Sequence, residues 1–416
     1  MRTPARYRHQ PYAALAHRSF RRFVVSLLSM TMAAQLQAVV IAWYVFRLTR
    51  DPLVLGLLGL AEVVPYVSVA LVAGYVVDRH DRRTVSAVAL GVLLAAASLL
   101  YVTMLDGGPR SVWPFYAVLG VCGIARSFLQ TSRSALVAEI VPPEVFANAA
   151  TWRSSTWQLG TVLGPALGGL LLGRFGERVA LAANVVLVIV ALTAMLSVRH
   201  TPTVLAASGS LRRTVAEGLR FIREQQVILG SLTLDLLAVF FGGAVALLPA
   251  FASDVLRVGP EGYGILQSAP GVGAVLMALL LAHRRPFRHA GRALLSAVTV
   301  FGLAIVFFAL SRSFLLSVAL LALSGAADNV SAVIRSTLIQ VMVPPHLLGR
   351  VSAVNAIFVG SSNELGAFES GVTARMMGVV PAVVFGGAMT LATVALVAWR
   401  APAVRRLGDL SRLTPG

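Results

Sequence analysis

The sequence is poor in the residues that soluble enzymes use. Only 12% of its 416 residues are charged, about half of what a soluble domain carries, and no lysine is present. The one cysteine, Cys122, excludes an intrachain disulfide. The sequence has no phosphate-binding loop, no Gly-x-Ser-x-Gly motif and no cysteine–histidine cluster. We therefore expect no cofactor, no metal site and no enzymatic activity.

Hydrophobic residues are what the chain has in excess, at 57% of the total with a mean hydropathy of +0.81. A membrane-spanning helix needs about 20 apolar residues. Runs of this length predict an all-α membrane protein with twelve transmembrane helices. We expect them at about 20–48, 53–78, 84–105, 112–138, 146–174, 179–198, 228–256, 262–283, 291–310, 314–340, 348–375 and 380–400.

The placement of the arginines indicates the membrane topology, and their excess over acidic residues gives the formal charge of +18. If both termini are cytoplasmic, 23 arginines fall in or next to the inside segments and eight in the outside segments, as the positive-inside rule requires. This placement favours topology signals over nucleic-acid contacts. We predict a six-helix bundle over 1–198, a cytoplasmic linker over 199–227 and a second six-helix bundle over 228–416.

Within the linker, residues 211–223 place apolar side chains at 211, 215, 219 and 222. This spacing predicts an amphipathic helix on the inner membrane surface.

An internal repeat supports two related bundles. A shift of 202 residues aligns the region after Val121 with the region after Leu323 without gaps. Arg133-Ser134 then meets Arg335-Ser336, and a Val-Pro-Pro tripeptide at 141–143 meets another at 343–345. Duplicated halves around a midplane site are a common plan of secondary transporters.

A short polar loop separates the second and third apolar runs. Its pattern of Gly74, Asp78, Arg79, Arg82 and Arg83 resembles the loop between helices 2 and 3 of the major facilitator superfamily. The whole chain resembles this superfamily, which implies two pseudo-symmetric six-helix bundles. The alternative is an ordinary basic topology loop.

The resemblance also implies a gate. Asp78 is expected to face the amino end of helix 11, near residues 348–350, with Arg133 as its ion-pair partner. Arg82 and Arg83 are expected to meet Glu139 or lipid phosphates. These contacts would hold the halves together in the outward-open state.

Helix 5 carries a second motif, formed by Gly160, Gly164, Pro165, Gly168 and Gly169. It resembles the helix-5 motif of antiporters in the superfamily, and the alternative is packing of small residues. Residues 19–23, residues 51–53 and the paired Pro-Pro loops resemble the branch that exports siderophores and macrolides.

Ionisable residues inside the membrane are costly and indicate function. Arg126 on helix 4 and Asp328 on helix 10 are related by the 202-residue shift. Because the resemblance places both helices at the cavity, we expect the two side chains to face each other, with Arg126 binding anionic cargo and Asp328 taking a proton or a cation. The alternative is a structural pair.

Three further carboxylates lie within predicted helices, at Glu62, Asp235 and Glu364. Removal of a carboxylate from water favours its protonated form, which suits a proton carrier. The alternative for each is a hydrogen bond to a neighbouring helix.

These observations predict a secondary transporter, surrounded by lipid, in a bacterial plasma membrane, and the resemblance implies a monomer. The helix-5 motif and the branch resemblance imply export of an amphiphilic small molecule, siderophore or drug-like, by alternating access and proton antiport. The alternatives are a uniporter or importer of a small metabolite, and a lipid flippase on the same fold.

Overall fold

The computed structural model describes residues 11–200, 211–284 and 287–408. Helices dominate these ranges, and none of the residues described there lies in a strand. Nine helices in this part of the chain are long and apolar enough to span a membrane. The predicted all-α membrane fold is confirmed.

The first half contains six spans. They are α1 (Arg18–Thr49), α2 (Pro52–Arg79), α3 (Arg82–Thr103), α4 (Trp113–Ile140), α5 (146–175) and α6 (177–196). The last two form one continuous helical stretch that turns at Gly176, where a φ of 79° favours glycine.

The second half repeats this pattern. It contains α7 (Gln226–Val255), α8 (Gly259–Ala282), α9 (Ala290–Leu310), α10 (Phe314–Met342), α11 (Pro345–Met377) and α12 (Val379–Arg400). The nine apolar spans count α5 and α6 together and omit α4 and α11, both of which carry intramembrane charges. The arrangement is consistent with twelve crossings.

Helix packing follows the internal repeat. In the first half α1 packs on α5, α2 on α4 and α3 on α4. In the second half α7 packs on α11, α8 on α10 and α9 on α10, which are the equivalent pairs six helices later. Two equivalent contacts, α5 with α8 and α2 with α11, join the halves.

The linker helix, Leu211–Glu224, forms where the apolar spacing predicts it. Its buried residue Ile222 packs with Ile228 of α7 and with Val351 and Val354 of α11. We had expected the apolar face of this helix to lie against lipid. Instead, a buried face of the helix covers the second half. We call the side of the molecule that holds this helix and the α2–α3 loop the linker side, and the opposite side the far side.

Candidate functional site

A cavity of about 420 Å³ lies between the two halves. Its walls come from α1, α2 and α4 of the first half and from α7 to α11 of the second. Apolar residues form most of the surface, as in many small-molecule sites. The polar side chains among them are Glu62, Tyr263, Gln267, Ser324, Asp328, Asn363 and Glu364.

Tight helix contacts close this cavity on the far side. Gly169 of α5 lies so close to Gly264 of α8 that a Cβ atom on Gly169 would be 2.6 Å from the Gly264 Cα. On the other flank, a Cβ atom on Gly56 of α2 would be 2.8 Å from the carbonyl oxygen of Ala367 in α11. Glycine is required at both contacts because a side chain would push the helices apart.

Ion pairs join the halves around the same contacts. Arg50 pairs with Asp254 at 2.8 Å, and Arg174 pairs with Glu261 at 3.4 Å. Arg375 lies 3.5 Å from Asp51. Exposed pairs of this kind contribute little stability each, so we assign most of the far-side closure to helix packing.

The linker side of the molecule differs. Gln158 of α5 donates to the carbonyl oxygen of Gly271 in α8 at 3.4 Å near the middle of both helices, and nearer the linker side no ion pair between described residues joins the two halves. The structure is therefore closed at the far side, which is one of the two states that alternating access requires.

The helix-5 motif supplies part of the far-side closure. Gly160, Gly164 and Gly168 allow α1 to approach α5 closely within the first half. Gly169 faces α8 across the interface, and the carbonyl group of Pro165 lies against Gly264. The motif thus packs two helices against α5, one from each half. Its antiporter role stays a prediction.

Arg126 forms an ion pair with Glu62 of α2. The expected face-to-face pair of Arg126 with Asp328 is wrong in this structure. The reason is local packing: α2 and α4 touch where Gly123 meets the backbone of Glu62, so Glu62 reaches Arg126 inside the first half.

Asp328 instead presents its side chain to the cavity. It forms no ion pair with any residue that the structure describes, although Asp235 and Arg335 are within electrostatic reach. Glu364 of α11 also lines the cavity, beside Gly59 of α2, and interacts electrostatically with the Glu62–Arg126 pair. The cavity thus holds two carboxylates of the second half without a direct cationic contact among the described residues.

Asp235 is paired with Arg335 of α10 inside the second half. Their side chains are only 6% and 8% exposed. Loss of one partner from such a buried pair leaves an uncompensated charge. This geometry favours a structural role for Asp235 over the proton role that we considered.

Helix α7 is interrupted beside the cavity. Its regular α-helix ends at Phe241, and a 3-10 turn follows at Ala244–Leu247. Gly242, Gly243, Val245 and Ala246 from this break line the cavity wall. Irregular backbone at this depth is tolerated where it lines a cavity or is buried in protein.

The α2–α3 loop is a compact polar connection on the linker side. Arg82 forms an ion pair with Glu139 at 3.0 Å, as expected, and Arg83 donates to the carbonyl oxygen of Val198. Arg79 stacks over the ring of Tyr75, and Gly74 lies one turn from the end of α2. The loop therefore ties α3 to α4 and to the end of α6.

Asp78 and Arg133 are not brought together. Asp78 is exposed, whereas Arg133 is buried and donates to the carbonyl and hydroxyl oxygens of Ser26. The expected ion pair is wrong for this conformation because Arg133 points into its own bundle, toward α1. The gating role of these residues stays a prediction for the opposite state.

Asp81, which the sequence reasoning passed over, organises this loop. Its carboxylate caps α3 by accepting from the backbone of Arg83 and Thr84, and His200 contacts it from the segment after α6. Partial burial raises the pKa of Asp81, but the hydrogen bonds from Thr84 and His200 outweigh it and lower the pKa below its ordinary value. An aspartate immediately before the first residue of a helix is a usual cap, so this signal was present in the sequence.

Sequence reasoning also missed Tyr263, Gln267 and Asn363, which line the cavity. Tyr263 of α8 stacks on Trp43 of α1 with ring centroids 5.8 Å apart, so the two halves meet there. No periodic pattern in the sequence marks these residues. Helix packing decides which faces of α8 and α11 border the cavity.

Comparison with known proteins identifies the family. The profile of the family described as transmembrane secretion effector, a branch of the major facilitator superfamily, matches residues 9–411. The chain belongs to this family. It is therefore a multi-pass membrane transporter and not an enzyme.

Efflux proteins are among the curated relatives of this transmembrane secretion effector, at low identity. The chain is 23% identical to macrolide efflux protein A of Streptococcus pyogenes, over 84% of its own length and 88% of that protein. It is 28% identical to the enterobactin exporter EntS of Escherichia coli O1:K1 over 74% of this chain and 73% of that protein.

Solved structures confirm the fold. A bacterial homologue of the human lysosomal transporter Spinster, inward-facing and unoccupied, matches 96% of this chain and 97% of its own with a TM-score of 0.66 and 15% identity. A D-xylose–proton symporter matches 94% of this chain and 99% of its own with a TM-score of 0.71 and 13% identity.

Proposed function

We propose that this transporter exports an amphiphilic small molecule, siderophore or drug-like, across the bacterial plasma membrane in exchange for protons. Its two efflux relatives carry a macrolide and enterobactin by name. Both cargoes call for a site that is largely apolar with a few polar groups, and the cavity between the halves has this character. We place both termini in the cytoplasm on the arginine distribution.

The observation that carries the proposal is the position of Asp328. It faces the cavity from the second half and forms no ion pair with a described residue. A carboxylate in this position binds either a proton or a cationic group of the cargo, because its charge is otherwise uncompensated. Protonation would then be coupled to cargo release when the cavity opens at the far side.

The other charged groups have different roles in this proposal. Arg126 is held by Glu62 and offers its remaining donors to anionic cargo groups. Glu364 of α11 lies beside Gly59 of α2 and competes for the same guanidinium group when it is ionised. Its protonation would release Arg126 from this competition.

Transport into inside-out vesicles tests the proposal. Their lumen corresponds to the cell exterior, so a proton antiporter should accumulate a labelled macrolide or enterobactin when the lumen is acidified. A protonophore should abolish the accumulation. Equilibration that is independent of pH would support a uniporter and contradict the antiport.

A matched pair of variants assigns the effect to the cavity. Asp328→Asn removes one carboxylate from the cavity, and Asp254→Asn removes a charge from an exposed far-side pair with Arg50. We expect loss of pH-driven uptake for the first variant alone. Movement of a fluorescent phospholipid between leaflets, with neither cargo transported, would support a flippase instead.

A further inference from the structure

A second, lipid-facing groove lies in the second half, away from the central cavity. Its volume is about 200 Å³, and α8, α9 and α10 form its walls with Phe287, which precedes α9, at one end. Its lining is almost wholly apolar and includes Met277, Phe287, Ala293, Ser296, Ala327 and Val330.

Helix contacts explain why the groove exists. Farther toward the far side, α8 and α10 touch, because a Cβ atom on Gly325 would clash with the backbone of Pro270. The groove extends from the level of this contact, where Leu323 lines it, toward the linker side, where Met277 of α8 and Val330 of α10 form separate walls. Large side chains beside it, such as Leu276 and Leu279, are more than half exposed, so this face meets lipid.

Three arginines lie close in the chain to the residues at the linker-side end of the groove. Arg284 follows the end of α8 by two residues, Arg288 is adjacent to the lining residue Phe287, and Arg292 lies one helical turn before the lining residue Ser296. All three are exposed. None of them forms an ion pair with a residue that the structure describes.

We propose that this groove binds an anionic phospholipid, with one acyl chain between α8, α9 and α10 and the phosphate on Arg284, Arg288 and Arg292. The apolar groove meets the arginines at the membrane depth where the acyl chain of a phospholipid joins its headgroup. Basic sites between transmembrane helices bind anionic headgroups by the same combination. The site is separate from the cargo cavity, and the proposal does not depend on the cargo.

Native mass spectrometry of the full-length protein in detergent tests the site with phosphatidylglycerol as the probe. We expect one phosphatidylglycerol molecule to bind where phosphatidylcholine does not. Arg284→Gln, Arg288→Gln and Arg292→Gln together should weaken binding about 100-fold, at roughly fivefold per arginine. The control removes Arg18, Arg21 and Arg199, which are exposed on the linker side of the first half, and should leave binding unchanged.

A second variant tests the acyl chain without changing charge. Ala293→Leu fills the groove wall, whereas Ala278→Leu adds the same volume at an exposed position of α8 that does not line the groove. We expect the first to weaken phosphatidylglycerol binding and the second to leave it unchanged.

Several results would overturn the proposal. They are equal binding of phosphatidylcholine, equal loss in the control arginine variant, and unchanged binding in Ala293→Leu. Competition by glycerophosphoglycerol, which has the headgroup and no chains, as strong as that by the lipid would indicate a phosphate site without a role for the groove. The Ala293→Leu and competition experiments still decide the question if the triple variant does not fold.

Discussion

The two halves of the transporter place equivalent charges in opposite circumstances. Arg126 of α4 is paired with Glu62 inside the first half, whereas its counterpart Asp328 of α10 faces the cavity without an ion pair among the described residues. Two helical turns further along α4 and α10, the relation is reversed. Within the described ranges Arg133 meets only the oxygens of Ser26, whereas its counterpart Arg335 is paired with Asp235.

This difference indicates how a duplicated fold acquires unequal roles. Both halves keep the same helix contacts, so the scaffold remains symmetric. One carboxylate on α2 and one on α7 decide which buried arginine is neutralised. Asp328 of the second half is left in the cavity without an ion pair among the described residues, and we therefore expect coupling to depend on it.

Asp328→Asn should have the largest effect on function. Because it removes one of the two cavity carboxylates of the second half, we expect loss of proton-driven cargo accumulation, with cargo exchange in the absence of a pH gradient retained. Paired measurements of accumulation and exchange in vesicles check this. Unchanged coupling would move the proton site to Glu364 or Glu62.

Substitution of the two equivalent arginines, Arg335 and Arg133, should lower the stability of the protein by different amounts. Arg335→Gln leaves Asp235 as a buried, unpaired carboxylate, which should lower the free energy of unfolding by about 3–5 kcal/mol. Arg133→Gln loses only hydrogen bonds to Ser26, which should cost about 1–3 kcal/mol.

Denaturant unfolding in detergent compares the two variants. The double variant Asp235→Asn and Arg335→Gln should recover part of the stability, since it leaves no unpaired charge. Equal costs for the two single variants would mean that the Asp235–Arg335 pair has no special importance.

The two far-side glycine contacts test whether the closure is symmetric. Gly169→Ala and its counterpart Gly371→Ala each place a Cβ atom within 3 Å of the opposing backbone. Each should disfavour the far-closed state by about 1–3 kcal/mol, so the far side should open more often.

Distances between spin labels on the far side measure that shift. Gly91→Ala is the control, because its Cβ atom would meet nothing within 4 Å. A shift in only one of the two variants would show that one flank alone holds the closure.

The smallest effect concerns the α2–α3 loop, which has acidic residues that the α8–α9 loop lacks. Asp81 has a pKa below its ordinary value in the folded protein, so its contribution to stability is present above the unfolded pKa. That contribution, at most about 1 kcal/mol for a partly exposed group, is lost as the pH falls through the lowered value.

Thermal unfolding between neutral and acidic pH measures this loss. Asp81→Asn should show less acid sensitivity than the wild type, whereas Asp106→Asn, exposed on the far side, should behave as the wild type. Identical pH profiles for all three proteins would remove the assigned role of Asp81.

Sequence reasoning predicted the scaffold well because apolar run length and arginine placement act locally. The twelve predicted spans correspond to helices within a few residues, and the break between α5 and α6 falls at Gly176. The 202-residue repeat correctly related helices of the two halves. The domain boundaries and the orientation of the termini stay predictions.

The charged pairs were predicted less well, since partners depend on helix rotation and on conformation. Arg126 was assigned to Asp328 because both face a common axis, yet Gly123 brings α2 closer. The Asp78–Arg133 pair failed because a structure closed at the far side leaves Asp78 exposed. Arg82–Glu139 was expected correctly, since that pair lies within one half.

The interruption of α7 has a consequence for local opening. Ala244 donates to Gly242 across a tight turn, and the following residues lack the regular ladder of an α-helix. Amide hydrogens at 243–247 should therefore exchange with deuterium sooner than those of the unbroken α10 at the same depth. Cargo that occupies the cavity would slow this exchange, which offers a label-free signal of occupancy.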